Sequence, residues 1–433
     1  MKRTIFSVSA LLIALAMILS ACGGGATEGP ATSGDKTTLR IWTHQNTAFL
    51  NGYNALADKY MDLHPDVNIV IESFDYDTFI QTLQTSLPAG TEADIMTLFG
   101  SWVCSYAEGG YLDAVPESVI TVADAQNKLF NSAIGGYLCD GSLYGIPQEF
   151  NIEYGAVLVN TLLTDEVGVA ADGWADWDEF IADAQKLTVT QDGVMTRSGF
   201  NFTGSDGTAT MFHSLYLQYG GEYLQDDVYT VNTPIGMQVL GQMKSFIDAG
   251  INDPYLFNDE ENWVGDSFFN QTSAIGLVGP WAVPEYSGDF PEVAEATVYV
   301  PLPSVGPEPV FAAASGWGMS VSAKSDVQDI AWDFIKFSTL EVENSLEWNL
   351  ASGTLPALIE ETEGANGVAL VEKFPFFEPF LDILEYGRYE GPFPDRDFVW
   401  YEVTYPRVLE FLQGLRSAEE TLEMIESEVR GSF

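Results

Sequence analysis

Apolar residues recur along this chain in two rhythms, short unbroken runs and helical spacing, and the two alternate. Residues 39–43 (LRIWT) form a strand-like run, followed at once by the polar loop His44-Gln45-Asn46. Phe49, Tyr53, Leu56, Ala57, Tyr60 and Met61 then fall on one helical face, which Pro65 closes. Residues 67–72 read as a second strand. Phe79, Ile80, Leu83 and Leu87 mark the next helix, broken at Pro88-Ala89-Gly90, and residues 94–99 (DIMTLF) make a third strand that runs into Gly100-Ser101-Trp102. Strand and helix in alternation predict an α/β fold with a doubly wound parallel sheet. Ligands lie at the carboxyl ends of the strands of such sheets, and two of these ends deliver Trp and polar side chains.

Further on, Gly145-Ile146-Pro147 reads as a turn, residues 148–151 are polar, and an apolar run follows at 154–159, as if the chain left one sheet and entered another. Trp177, Phe180, Ile181, Ala184 and Leu187 share a helical face. Residues 200–210 (FNFTGSDGTAT) read as a loop. A helix over 233–249 has Thr233 as its N-cap, Pro234 at its first position and Gly250 just past its end. The stretch 266–286 (DSFFNQTSAIGLVGPWAVPEY) reads as the end of a helix, then a buried parallel strand over 274–278, then a Gly279-Pro280 turn presenting Trp281. Position alone leaves Trp281 either a ligand platform or a core anchor. A strand over 297–303, the Gly-Trp-Gly turn around Trp317, a helix over 326–339, an aromatic and Pro-rich tail and a final helix over 419–429 complete the chain. Crossings between two lobes are expected near 148–152, 267–272 and 312–318. The expected partition is 37–148 plus 270–314 for the first lobe and 152–268 plus 318–433 for the second.

Composition sharpens this. A chain of 433 residues, 46% hydrophobic and 13% aromatic, is long enough for two cored lobes. Lys2 and Arg3 precede an apolar run over 10–19, the length of a signal-peptide core and too short for a stable membrane span. The run ends in Leu19-Ser20-Ala21-Cys22, and a Gly-rich tether follows. The formal charge of −46, spread along the chain, repels phosphate backbones and sets nucleic acid aside as a partner. Two further cysteines, Cys104 and Cys139, either pair as a disulfide, which an oxidising compartment favours, or stay buried as free thiols. Three scattered His (His44, His64 and His213) show no metal-ligand spacing, and no metal or cofactor is expected. Of these, His213 reads as a satisfied core residue. No Walker loop, His-Glu-x-x-His or Gly-x-Ser-x-Gly motif occurs.

The Leu-Ser-Ala-Cys box and tether, the LRIW strand, GT-x-ADI before the third strand, DGSLYGIP, FNQTSAIGLVGPW and SGWG occur here in one order. In that order they resemble the extracellular solute-binding proteins of bacterial ABC importers, in the branch that includes the maltose-binding protein. The resemblance runs from Thr38 to about Leu358. It implies an acylated Cys22 after removal of residues 1–21, a tether over 22–36, and a monomer tethered to the outer face of the cell membrane. It also implies two discontinuous α/β lobes, joined by hinge segments, that close over a sugar and hand it to permease subunits. Matched residue by residue, it implies ligand contacts from Trp281, from Thr43, His44 and Asn46 after the first strand, and from Trp102. Gln148, Glu149 and Asn151 at the first crossing and Trp317 at the third are matched as well. Asp206 is matched more loosely, and Trp400, with Trp348, Arg396 and Asp397, falls in a tail that departs from the family pattern.

The residue chemistry agrees with a sugar, which offers apolar C–H faces to aromatic rings and hydroxyls to amides and carboxylates. Two alternatives stay open: a cationic solute such as a polyamine, suited to an acidic aromatic cleft, and a lipid-anchored glycoside hydrolase using two carboxylates.

Overall fold

The computed structural model describes residues 36–225, 228–256 and 264–432. The expected signal segment, Cys22 and the tether up to residue 35 lie outside the described residues. Two five-stranded sheets organise the rest. In the first, Val67–Phe74, Thr37–His44 and Ile95–Phe99 are parallel neighbours, and Trp317–Val321 lies antiparallel between Ile95–Phe99 and Ile146–Pro147. The second runs Thr297–Pro301, Ala156–Asn160, Ser273–Gly276, Val194–Asn201 and Val189–Gln191, with Ser273–Gly276 and Val194–Asn201 its parallel pair. Ala156–Asn160 and Trp317–Val321 are buried at every position, because each is flanked by strands and covered on both faces.

The two-lobed α/β class expected from sequence is the observed one, with three corrections. The sheets are mixed rather than wholly parallel. The segment 270–314 does not join the first lobe, since Ser273–Gly276 and Thr297–Pro301 both hydrogen-bond to Ala156–Asn160 in the second sheet. Accordingly, 267–272 is no crossing: helix Val264–Phe269 packs on the strand it leads into. A fully apolar run fits the centre of either sheet, and its periodicity does not say which. Lastly, the region after 318 is divided. Trp317–Val321 belongs to the first sheet, and helices Gln328–Thr339 and Val342–Ser352 pack on Thr47–Leu63, while Tyr405–Leu412 and Ala418–Arg430 pack on Ser205–Gln218 and Pro234–Asp248. The chain thus changes sheets between Pro147 and Ala156 and again between Pro301 and Trp317, and in the tail, where Pro356 bridges to Glu149, only its helices pass from the first lobe to the second.

Cys104 and Cys139 are disulfide-bonded, joining helix Gly100–Glu108 to the short strand Leu138–Cys139. Replacing both by Ser is expected to lower unfolding free energy by about 2–4 kcal/mol. Urea unfolding of the oxidised protein and the double variant measures this.

Glu361 lies fully buried beside helix Val342–Ser352, and burial pushes its carboxyl up to about 8. The folded protein therefore holds a proton there that the unfolded chain releases above the ordinary carboxylate range. Folding loses stability from this group as pH rises from about 5 to 8. Glu361→Gln is expected to flatten that part of the pH–stability curve and to raise the melting temperature at pH 8 more than at pH 5.

Candidate functional site

Where the first sheet's carboxyl edge meets the crossings, aromatic rings collect around Trp317. Gly316, at φ +69°, turns the chain into the strand so that Trp317 enters it, and a Cβ at Gly316 would come within 2.8 Å of Glu149 Cγ. The Trp317 indole stacks on the His44 imidazole at 4.0 Å between centroids and meets the rings of Trp102, Phe99 and Tyr76 at 5.4, 5.6 and 6.3 Å. Trp317 is only 9% exposed, whereas Tyr76 is exposed and Trp102 half-buried, so Trp317 and His44 form a floor and the other two the rim. Burial lowers the His44 pKa to about 4, leaving a neutral ring whose buried Nδ1 has no hydrogen-bond partner among the described residues.

The tail completes the rim. Trp102 Nε1 donates to Asp397 Oδ2 at 2.9 Å, and Ser105 Oγ donates to the Pro394 carbonyl at 2.9 Å. Between them the guanidinium of Arg396, buried over the rings of Trp400 (4.6 Å) and Phe99 (5.8 Å), donates to Glu390 Oε1 at 3.1 Å and to the Tyr401 hydroxyl at 2.9 Å. It also reaches Asp206 at 3.4 Å and Asp397 at 3.6 Å. Burial pushes the carboxyls of Glu390 and Asp397 up, and the Arg396 charge opposes the rise. Tyr401 donates to Asp206, and both Trp400 and Tyr401 sit on a π-helical turn, Phe398–Thr404, an irregularity often found at functional sites. On the second sheet's side, Glu153 accepts from the Gly279 N–H at 2.8 Å and from Trp281 Nε1 at 2.7 Å. Trp281 is half-buried, one residue before helix Ala282–Tyr286. Half-exposed indoles and a tyrosine, carboxylates at the rim and a buried cation behind them make a surface able to hold an apolar ring face while accepting hydrogen bonds from hydroxyls.

Residues 45–343 match the model of the bacterial extracellular solute-binding protein family. The chain belongs to that family. Among relatives of this solute-binding protein, a binding protein of Brucella abortus strain 2308 is 21% identical over 77% of this chain and 79% of its own. A Thermotoga lettingae ABC transporter solute-binding protein bound with alpha-D-tagatose superposes with a TM-score of 0.75, at 18% identity, over 92% of this chain and 99% of that one. The GacH receptor of Streptomyces glaucescens, solved unliganded and with acarbose, gives 0.75 at 20% identity over 92% and 98%. At these identities the likeness is one of fold.

Within this solute-binding protein the sequence-derived site residues fall into three groups. Trp102, Asp206 and Trp281 lie on the rim and reach solvent in part; Asn151 is half-buried, its backbone bridged to Ala314. Asn46 is also half-buried, but its side chain caps helix Thr47–Leu63 by accepting from the Phe49 N–H. The remainder are inside. His44 and Trp317 make the floor. Thr43 is fully buried and accepts from Thr97 Oγ1 at 2.9 Å, because side chains alternate along the strand and His44 takes the outward place. Gln148 accepts from the Tyr53 hydroxyl, and Glu149, rather than standing as a solvated acceptor, takes the Trp317 N–H at 2.9 Å. Trp400 is fully buried, stacked on His213 at 4.3 Å. As expected, His213 is a satisfied core residue, bonded to Ala209 O and Tyr229 Oη. Thr43→Val is therefore expected to cost about 1 kcal/mol of stability, from the lost hydroxyl pair, and to leave solute affinity within twofold, as calorimetry would read.

Sequence reasoning missed Tyr76, Glu153 and Tyr401. Asp206 was assigned to a loop but stands in the first turn of helix Ser205–Gln218, because the small polar residues that suggested a loop form an N-terminal turn. For Glu153 a signal was present, two residues beyond Asn151 in the same crossing.

Proposed function

We propose that this chain is the substrate-binding lipoprotein of an ABC importer, anchored outside the cytoplasm through Cys22, which encloses a sugar or oligosaccharide by lobe closure and delivers it to the permease. The observation that carries the sugar reading is the ring cluster of Tyr76, Trp102 and Trp317 at the end of the first sheet, rimmed by Asp206 and Asp397. Rings of this kind fit the C–H faces of a pyranose, and carboxylates accept from its hydroxyls. The ligands bound by two fold relatives, alpha-D-tagatose and acarbose, are of the same chemical class.

Binding energy drives closure only through contacts richer in the closed state than in the open one. Asp397 and Pro394, in the tail segment that also pairs with Asp206 through Arg396, already bond to Trp102 and Ser105 of the first lobe. A guest seated against Trp102 adds to those cross-lobe contacts. Calorimetry across neutral mono- and oligosaccharides tests the reading, with binding at micromolar Kd or tighter expected for at least one; no heat from any neutral sugar sinks the carbohydrate part.

A second reading, a cationic solute, is favoured by one feature: Glu153, Asp206, Glu390 and Asp397 outnumber Arg396 in the cluster. Spermidine titrated at two ionic strengths discriminates, since cation capture weakens with salt and sugar stacking does not.

A further inference from the structure

Between the two sheets, the crossing segment 148–155 brings the Glu153 carboxylate to Trp281, with one oxygen on the indole N–H at 2.7 Å and the other on the Gly279 N–H at 2.8 Å. We propose that Glu153 is the positioning residue of Trp281, and that its ionisation sets the orientation of that indole and through it the affinity for solute. The affinity half of this rests on the sugar-site reading above; the orientation half does not.

An ionised carboxylate has acceptor sites for both N–H groups at once, and charge-assisted bonds of this kind are about twice as strong as neutral ones. A protonated carboxyl has lost one good acceptor, and its new O–H donor faces two N–H donors. One of the two bonds must then weaken or the group must rotate. Indole Nε1 is a donor only, so the ring follows the oxygen it is bonded to. Trp281 lies between the Gly279-Pro280 turn and helix Ala282–Tyr286, which fixes its backbone, and its indole lies against Gly279 with Nε1 held on the Glu153 carboxylate.

The surroundings make the proton available near neutral pH. Glu153 is buried, and burial first, then the Asp206 carboxylate on helix Ser205–Gln218, raises its pKa to about 8. The bonds from Trp281 and Gly279 and the charge of Arg396 in the tail pull it down. Facing it from Thr297–Pro301 is the hydroxyl of Tyr299, which bonds to the carbonyls of Val278 and Gly279 and so holds the turn from the other side. The crossing segment itself adds Glu149, four residues earlier and turned to Trp317.

The signs for orientation and for folding are opposite. As pH falls below about 8, Glu153 gains its proton, the hold on Trp281 loosens and affinity falls. Folding stability from the same group rises over that range, because the unfolded chain, with its carboxyl ionised above its ordinary range, binds the proton less. A residue that served only the fold would not move affinity against stability.

The deciding experiment is a pH titration of the indole N–H resonances of the 15N-tryptophan-labelled full-length mature protein without solute, the Trp281 signal being assigned by its absence in Trp281→Phe. The expected result is a shift of the Trp281 signal with a midpoint near pH 8, abolished in Glu153→Gln. In parallel, the Kd for the tightest sugar of the panel is expected to weaken about fivefold from pH 8.5 to pH 6 in the wild type and to stay flat in Glu153→Gln. Should Glu153→Gln not fold, Asp206→Asn serves in its place, with a midpoint displaced to lower pH. A Trp281 signal that does not titrate between pH 5 and 9, or one that titrates alike in Glu153→Gln, overturns the proposal whether or not any sugar binds. A titrating signal with no sugar bound overturns only the sugar reading.

Discussion

Arg396→Met is expected to cost about 3–5 kcal/mol of folding stability, the loss that follows when one partner of a buried ion pair is removed and the other is left without compensation. Arg396 and Glu390 are each about 3% exposed, and the guanidinium serves Asp206 and Asp397 as well. Methionine fills much of the space over Trp400 but offers the carboxylates nothing. Their only relief is protonation, so the deficit is expected to shrink as pH falls: largest near pH 8, smaller at pH 5. Urea unfolding at both values measures it. A loss under 1 kcal/mol at pH 8 would mean that the cluster is hydrated rather than dry. Because the same residue stands between the Trp102 and Asp206 sides of the site, affinity is expected to fall with it.

Trp281→Ala is expected to behave in the opposite way, with a large loss of affinity and little loss of stability. Removing a half-buried indole from a ligand face forfeits about 2–3 kcal/mol of apolar contact, or roughly 30- to 150-fold in Kd, by area and ring-contact arithmetic. The fold should lose less, since the ring is half-buried rather than in the core of either sheet, although its bond to Glu153 goes with it. Trp317→Ala provides the contrast: with 9% exposure and four ring neighbours it should lower stability and affinity together. If Trp281→Ala kept wild-type affinity for every sugar that binds, Trp281 would be a lid residue or a surface ornament, and the ring floor at Trp317 would carry the binding without it.

Much of the fold was legible where local pattern and tertiary context agree. The first three strands and their helices could be read from alternating runs because each strand is closed by a turn or cap of its own, such as Asn46 at Thr47–Leu63 and Asp75 at Tyr76–Ala89. Trp317–Val321 was hidden because Gly316 and Gly318 mimic a loop, yet their reason is close packing: a Cβ at Gly318 would lie 2.4 Å from the Ile146 carbonyl. Assigning Ser273–Gly276 to a sheet failed for a different reason, since a run buried on both faces carries no information about its neighbours.

In the site, residue type was legible and direction was not. Trp102 and Trp281 were found as aromatics at chain breaks, whereas Trp400, chosen from a tail that departs from the family pattern, packs into the core. Thr43 and His44 are adjacent in sequence and point to opposite faces, a difference that strand register alone decides. The pairings of Glu153 and of the Arg396 cluster needed the three-dimensional structure, because the partners lie 126 residues away at Gly279 and 190 away at Asp206.

The most direct test of sugar capture at the junction of the two sheets is a crystal structure with the tightest-binding sugar of the calorimetric panel. The expected result is a sugar ring lying within about 4 Å of the indole of Trp281 or Trp102, with hydroxyls donating to Asp206 or Asp397. A sugar bound elsewhere, for instance in the outer groove beside Val342, Leu346 and Leu350, with the indoles untouched, would contradict it.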